Sequence, residues 1–448
     1  MLTIAEASAQ IRTGGLSSIE LTRECLDRVE GLNPELNAFI SMTSELAMEQ
    51  ARQADAELMA GTRRGPLHGI PIALKDLIDV AGVKTTAASN QFRDRVATDD
   101  AAIVKPLKHA GAVIVGKTNL QEFAFGGSGI VSAFGPVRNP WDVTRITGGS
   151  SSGSAAAVAA ELCVAAIGTD TAGSVRAPAA LCGIVGYRPS AGAWSTEGII
   201  PLRRSFDTVG LMTRTVEDAW LMLRALTDNT GTNAVHAIPE RVRVGVAREG
   251  FFEGLEADVA KCAEDAVDVI RSLATSVSEV QLEVNVKWTS FDREILDYHH
   301  RMLAESPELY QPATLERLRA CAAIPAAEFK RAQGELAEAR RQAERVFETV
   351  DIVVTPTVLV GAPKIAELEE MAASDLRAYE VQKLLQNTAP FSLLFWPSVS
   401  VPCGFTSEGL PVGLQISARP GADELALRVA RAYERAADWH KRVPAMAS

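Results

Sequence analysis

Two stretches rich in glycine and serine carry the hydroxyls best placed to do chemistry. Thr147-Gly148-Gly149-Ser150-Ser151-Ser152-Gly153-Ser154 precedes an Ala/Val run, and Gly168-Thr169-Asp170-Thr171-Ala172-Gly173-Ser174-Val175-Arg176-Ala177-Pro178 follows it. Loops of this kind let backbone N–H groups converge and hold serine hydroxyls in conformations that other residues resist. A flexible linker has a similar composition. Here, however, Ala155 to Ile167 is almost wholly apolar and must be buried, as one short helix and one short strand. Upstream, Ile70 to Leu74 reads as a short apolar strand with Lys75 at its end. A lysine in that position is either a solvent anchor or a buried base, and taken alone the anchor is the commoner case.

Two familiar expressions occur and both fail on context. Gly111-Ala112-Val113-Ile114-Val115-Gly116-Lys117-Thr118 satisfies GxxxxGK[ST], but a phosphate cradle must wrap as a loop. Ala-Val-Ile-Val prefers an extended buried strand instead. Gly149 to Gly153 satisfies GxSxG, whose triad needs an acid and then a histidine later in the chain. The later histidines are His236, His299, His300 and His440; His299-His300 sits in a charged helical stretch and His440 near the tail, neither in a recognisable loop setting, and His68 reads as an ordinary loop residue. Cys25, Cys163, Cys182, Cys262, Cys321 and Cys403 show no CxxC pair and no zinc-like spacing. Cys403 is better read as a small buried residue than as a nucleophile.

The elements that position these residues follow from pattern. Ser17-Ser18-Ile19-Glu20 supplies an N-cap for a helix that Asn33-Pro34 closes, and a second helix runs from about Thr43 to Met59. Asp99 to His109 reads as a helix, as do Val216 onward, residues 255–274 and residues 306–349. Buried strands are expected from Arg241 to Ala247, Asp351 to Thr357, Ser398 to Val401 and Val412 to Ile416. Strands separated by helices indicate an α/β class with a largely buried sheet. A chain of 448 residues, 47% hydrophobic, can build one large core. Its net charge of −11, without a basic cluster, argues against a nucleic-acid surface. Scattered cysteines and the absence of a signal pattern or a long apolar run lead us to expect a soluble, cytoplasmic protein with no membrane association.

Taken together with Lys75, the central stretch resembles the amidase signature family of serine hydrolases. The resemblance rests on Gly69-Ile70-Pro71-Ile72-Ala73-Leu74-Lys75, Asn139-Pro140-Trp141-Asp142, the Gly148-Gly149-Ser150-Ser151 loop and Gly168 to Pro178. Cys182 to Gly186, Ser400 to Gly404 and Leu410 to Gln415 extend it, so that it spans about residues 60–220 and 350–435. It implies a mixed central β-sheet covered by helices on both faces in a single domain, residues 1–448. Residues 1–60 form an N-terminal helical layer, 61–220 the signature core and 221–350 a variable helical region. Residues 351–448 complete the core.

The resemblance also implies a Ser–cis-Ser–Lys triad: Ser174 as nucleophile, Ser150 as the bridging serine after a cis peptide bond, and Lys75 as base. Elementary chemistry agrees, because a serine hydroxyl needs a base and a lysine serves only when burial or a nearby cation keeps it neutral. The backbone N–H groups of Thr171, Ala172, Gly173 and Ser174 are the candidate oxyanion hole. Ala172 stands where glycine is usual, which makes Gly173 the better donor; Ser152 likewise replaces a frequent glycine. Ser151 is a supporting hydroxyl, and Asp170 and Arg176 are expected to pair across the catalytic turn.

The expected activity is hydrolysis of a small-molecule amide, with no cofactor and no metal. A homodimer is only the general expectation for a soluble enzyme. Two alternatives compete. The first is the glutaminase subunit of a tRNA-dependent amidotransferase, whose members resemble this chain closely. They usually place an arginine for the glutamine carboxylate near the position of Gly334-Glu335-Leu336, which has none, although Arg340 and Arg341 are close by. The second, of another class, is a non-catalytic binding protein on the same scaffold.

Overall fold

Apolar runs too short for helices pair into one continuous sheet. The computed structural model describes residues 2–227 and 241–447, so Asn229 to Glu240, including His236, lies outside the described residues. The strands are β1 (Phe39–Met42), β2 (Pro71–Lys75), β3 (Val113–Thr118), β4 (Arg138–Asn139), β5 (Asp142–Ile146), β6 (Ala165–Asp170), β7 (Val185–Arg188), β8 (Thr208–Thr213), β9 (Arg243–Ala247), β10 (Ser276–Val280), β11 (Ile352–Pro356), β12 (Ser398–Phe405) and β13 (Pro411–Ala418). Eleven of them form a sheet in the order β1-β3-β2-β6-β8-β7-β12-β13-β11-β9-β10, and β4 and β5 form a small ribbon. The sheet is mixed: β2 runs parallel to β3 and β6, and β11 parallel to β9, while β8, β12 and β13 pair antiparallel. Every residue of β2, β3, β6 and β8 is buried, which requires cover on both faces. Helices supply it, among them Ser152–Ala159, Arg176–Cys182, Ala257–Leu273 and Asp423–Ala437.

The segment that formally matched a phosphate loop is strand β3, as its apolar residues require. Three helical expectations need correction. The helix capped by Ser17 does not close at Asn33-Pro34 but runs to Leu36. Pro34 lies in its last turn, and Asn37, in the left-handed conformation, caps it by donating its N–H to Asn33 O. The helix expected from Asp99 starts only at Val104, because the N–H groups of Ala101 and Ala102 donate instead to Asp79 O and Glu197 O. Residues 306–349 are broken at Pro312 and Pro325 into helices Pro312–Ala322 and Ala326–Glu344.

Register brings distant segments together at one end of the sheet. Leu74 of β2 pairs with Ile167 of β6, and Asp170 of β6 pairs with Thr208 of β8. Lys75, Thr169, Asp170 and Asp207 therefore sit side by side, beneath the helices that begin at Ser152 and Arg176. No helix among the described residues is long and apolar enough to cross a membrane.

Candidate active site

Lys75 ends β2 with no exposed surface. Its Nζ donates to Ser150 Oγ at 2.7 Å and to Thr169 Oγ1 at 2.9 Å, so it is not a solvent anchor. Burial pushes its ammonium down to about 7, with the carboxylates of Asp207 and Asp170 pulling the other way. Ser150 follows a cis peptide bond from Gly149, and its carbonyl accepts the Gln121 N–H at 3.1 Å. Ser174, 5% exposed, enters the short helix Arg176–Cys182. Its carbonyl accepts the Ser151 N–H at 3.1 Å, which fixes the turn bearing Ser174 to the loop bearing Ser150. The Ser151 hydroxyl in turn donates to Thr169 O at 3.2 Å and accepts from Thr169 N at 3.3 Å.

The turn from Asp170 to Val175 is held from three sides. Asp170 accepts the N–H groups of Gly173 (2.9 Å) and Val175 (3.2 Å) and pairs with Arg176 through both oxygens, at 2.9 and 3.0 Å. Burial would raise its carboxyl, but Arg176 and Arg188 outweigh that and hold it well below the usual range. Thr388 Oγ1 donates to Ala172 O at 2.7 Å and fills the space where a side chain at Gly173 would stand, with φ +131° there. From the far side Thr171 Oγ1 donates to Asp207 Oδ1 at 2.5 Å.

One sequence expectation is reversed here. Gly173, the better oxyanion donor by sequence, has its N–H already spent on Asp170. The N–H groups of Thr171, Ala172 and Ser174 have no acceptor among the described residues. Sequence reasoning also missed Arg188, Asp207 and Thr388. Each is a lone residue outside the turn it holds, and only the pairing of β8 with both β6 and β7 and the fold of the 380–393 segment deliver it.

The remaining candidates lie elsewhere. Cys403 is buried in β12. His299 is buried against Phe123 and Tyr310, its Nδ1 2.8 Å from the tyrosine hydroxyl. Lys117 forms a buried ion pair with Asp76 at 3.1 Å. Among the described residues no three His, Cys, Asp or Glu side chains are grouped to hold a metal ion.

A mixed sheet carrying a buried lysine, a serine after a cis bond and a second serine on a clamped turn is the arrangement that the resemblance to the amidase signature family implies. The amidase family model matches residues 20–427, and this chain belongs to that family. It is 37% identical to a glutamyl-tRNA(Gln) amidotransferase subunit from Roseiflexus sp. (strain RS-1), over 99% of this chain and 98% of the relative. Among solved structures, a protein described as an amidase superposes with a TM-score of 0.88 at 33% identity, covering 97% of this chain and 99% of that one. A 6-aminohexanoate cyclic dimer hydrolase superposes at 0.89 with 28% identity, covering 100% and 99%.

Proposed function

We propose that the protein hydrolyses a carboxamide by acyl transfer to Ser174, releasing ammonia or an amine before water clears the acyl-enzyme. The observation that carries this reading is the solvent-free Lys75, its Nζ 2.7 Å from Ser150 Oγ. A lysine with a pKa of about 7 is partly neutral at physiological pH and can take a proton. Ser150, whose hydroxyl both donates and accepts, passes the Ser174 proton to Lys75 and returns it to the departing amine. Rotation of the Ser174 hydroxyl toward Ser150 closes that relay. As negative charge develops on the carbonyl oxygen, the N–H groups of Thr171, Ala172 and Ser174 receive it; loss of one such donor typically costs about 10²–10³ in rate.

The test is ammonia release from a panel of primary amides, with wild type, Lys75→Ala and Ser174→Ala compared. Turnover of one chemical class, lost in both variants while the fold persists, is the expected result. Near-normal turnover in either folded variant sinks the triad assignment.

The second reading, a glutaminase subunit of an amidotransferase, is favoured by the names of the relatives. Against it, the position that the resemblance assigns to a glutamine-binding arginine falls at Gly334-Glu335-Leu336, where Leu336 is buried and apolar. Arg340 donates its Nε to Leu393 O at 2.7 Å and stacks on Phe395, and Arg341 is exposed and paired with Glu338. Arg340 is committed to the Leu393 carbonyl and Arg341 faces solvent, so glutamine is expected to be a poor substrate in the panel. Glutamine hydrolysis matching the best primary amide would reinstate the glutaminase reading.

A further inference from the structure

A cavity of about 470 Å³ lies between Phe125, the 288–295 segment and the helices Pro312–Ala322 and Ala373–Tyr379. Arg317 and Arg377 line it, with Arg203 behind them. Arg377 stacks over Phe125 and Trp288, at 5.1 and 5.2 Å from the ring centroids, and Arg203 lies 4.6 Å from the Trp288 centroid. Arg317, 4% exposed, donates its Nη1 to Phe125 O and pairs with Glu380 at 3.1 Å. Its Nε and Nη2 have no partner among the described residues.

The arginines differ in how fully they are paired. Arg203 and Arg377 share Asp292, and Arg317 and Arg377 share Glu380. Asp207 and Glu294 also act on Arg203, and burial lowers the pKa of all three guanidiniums. At the mouth, Lys287 is already paired with Glu328, and Glu316 stands exposed in solvent. Buried donors normally have partners, and the Nε and Nη2 of Arg317, at the wall of the cavity, are the ones left without.

The cavity wall also joins the catalytic loops. Ser128 donates its N–H and hydroxyl to Glu380 Oε1, at 3.2 and 2.7 Å, and Ser128 in turn bonds to Gln121, whose backbone N–H holds Ser150 O. On the other side Asp292 pairs with Arg203, whose backbone N–H donates to the Asp207 carboxylate that holds Thr171.

We propose that this cavity receives a carboxylate carried by the substrate, bound through Arg317 Nε and Nη2, so that the preferred amides are monoanions. This rests on the amide-hydrolase reading. The experiment compares kcat/KM for succinamate, glutaramate and adipamate with that for succinamide, glutaramide and adipamide, the length-matched neutral diamides. At least one half-amide is expected to exceed its diamide by about tenfold or more, the scale of a hydrogen bond to a charged group. The advantage should lie in KM and shrink by about the same factor in Arg317→Gln. Ala320→Glu, which changes an exposed residue on the same wall, adds a carboxylate without disturbing the core and should also shrink it. Equal use of half-amides and diamides by wild type overturns the proposal, as does an unchanged ratio in either folded variant. Should no amide in the set be hydrolysed, calorimetric titration with the three half-amides reads the cavity alone. Binding that is lost in the variants keeps the anion site while the hydrolase reading fails, and no binding to wild type overturns the site.

Discussion

Lys75 carries opposite demands, since the burial that would fit it to the proposed role of base also makes it a cost to the fold. Its folded pKa, about 7, lies below the ordinary lysine value of 10.5. Below pH 7 both folded and unfolded chains hold the proton, and the folded state bears the full penalty of a buried cation. Between about pH 7 and 10.5 the unfolded chain binds more protons, so stability rises with pH. Replacing the side chain by an apolar one of similar length removes this dependence. Lys75→Met is therefore expected to be inactive yet more heat-stable than wild type at pH 6, by roughly 3 °C or more. The gap should narrow toward pH 10, and thermal unfolding across that range checks it. Activity should move in the same direction, rising through about pH 7 as the amine loses its proton; a flat kcat/KM profile from pH 5.5 to 8.5 would contradict the assignment of Lys75 as base. Asp170 behaves oppositely. Held ionised by Arg176 and Arg188, it contributes stability above the ordinary aspartate range that is lost as pH falls through its depressed pKa. Asp170→Asn leaves two buried guanidiniums without their carboxylate and should cost about 3–5 kcal/mol in urea unfolding. The neighbourhood of Lys75 and Ser150 and the Asp170–Arg176 pair were legible because these residues stand in the ordered motifs that carry the resemblance. Asp207, Arg188 and Thr388 were not, since each reaches the turn through tertiary pairing that no local pattern encodes.

At the scale of elements, the helix that follows Ser150 is placed by a contact rather than by propensity. A side chain on Gly153 would put its Cβ 2.2 Å from Ala38 O and 2.6 Å from the backbone of Asn119, none of which can swing aside. Gly153→Ala must push the helix Ser152–Ala159 off β1 and β3, dragging the Ser150 loop with it. We expect a loss of about 3 kcal/mol or more, the upper end of overpacking, and at least about a tenfold fall in activity. Gly334, in the exposed middle of helix Ala326–Glu344, is its opposite: nothing lies within 4 Å of a Cβ there. Gly334→Ala should stabilise by about 0.5–1 kcal/mol with unchanged activity. Urea titrations of the two variants separate these outcomes. The same contrast explains what the sequence could convey about elements. Strands such as β2, β3 and β6 announced themselves because burial on both faces makes them apolar up to their last one or two residues. Helix ends were read less well, because where a helix stops depends on which acceptor its N–H groups find. Ala101 and Ala102 find theirs on Asp79 and Glu197, and no inspection of residues 99–109 alone reveals that.

Over the whole molecule, six cysteines offer a readout of the fold that is independent of any substrate. All six are free and buried, distributed from Cys25 in the second helix to Cys403 in β12. Burial raises their thiols away from the reactive thiolate form, Cys163 to about 12 and Cys321 to about 11. Cys163 and Cys182 belong to the core beneath the signature helices, and Cys25 is buried near Cys163. Cys262 and Cys403 lie in the core between β12 and helix Ala257–Leu273, and Cys321 backs the arginine-walled cavity. One cooperative unit then predicts one rate: a thiol reagent should titrate almost none of the six in the native protein and all six in denaturant. Under native conditions their labelling should track global unfolding, with Cys321, beside the cavity, the first to depart from the common rate. If the 160–185 core and the 257–273 helix opened separately, mass spectrometry of partly labelled protein would instead show Cys163 and Cys182 reacting apart from Cys262 and Cys403. The continuous sheet from β1 to β10 argues for the single rate, because no seam divides the strands that carry the lysine from those that close the far side of the core.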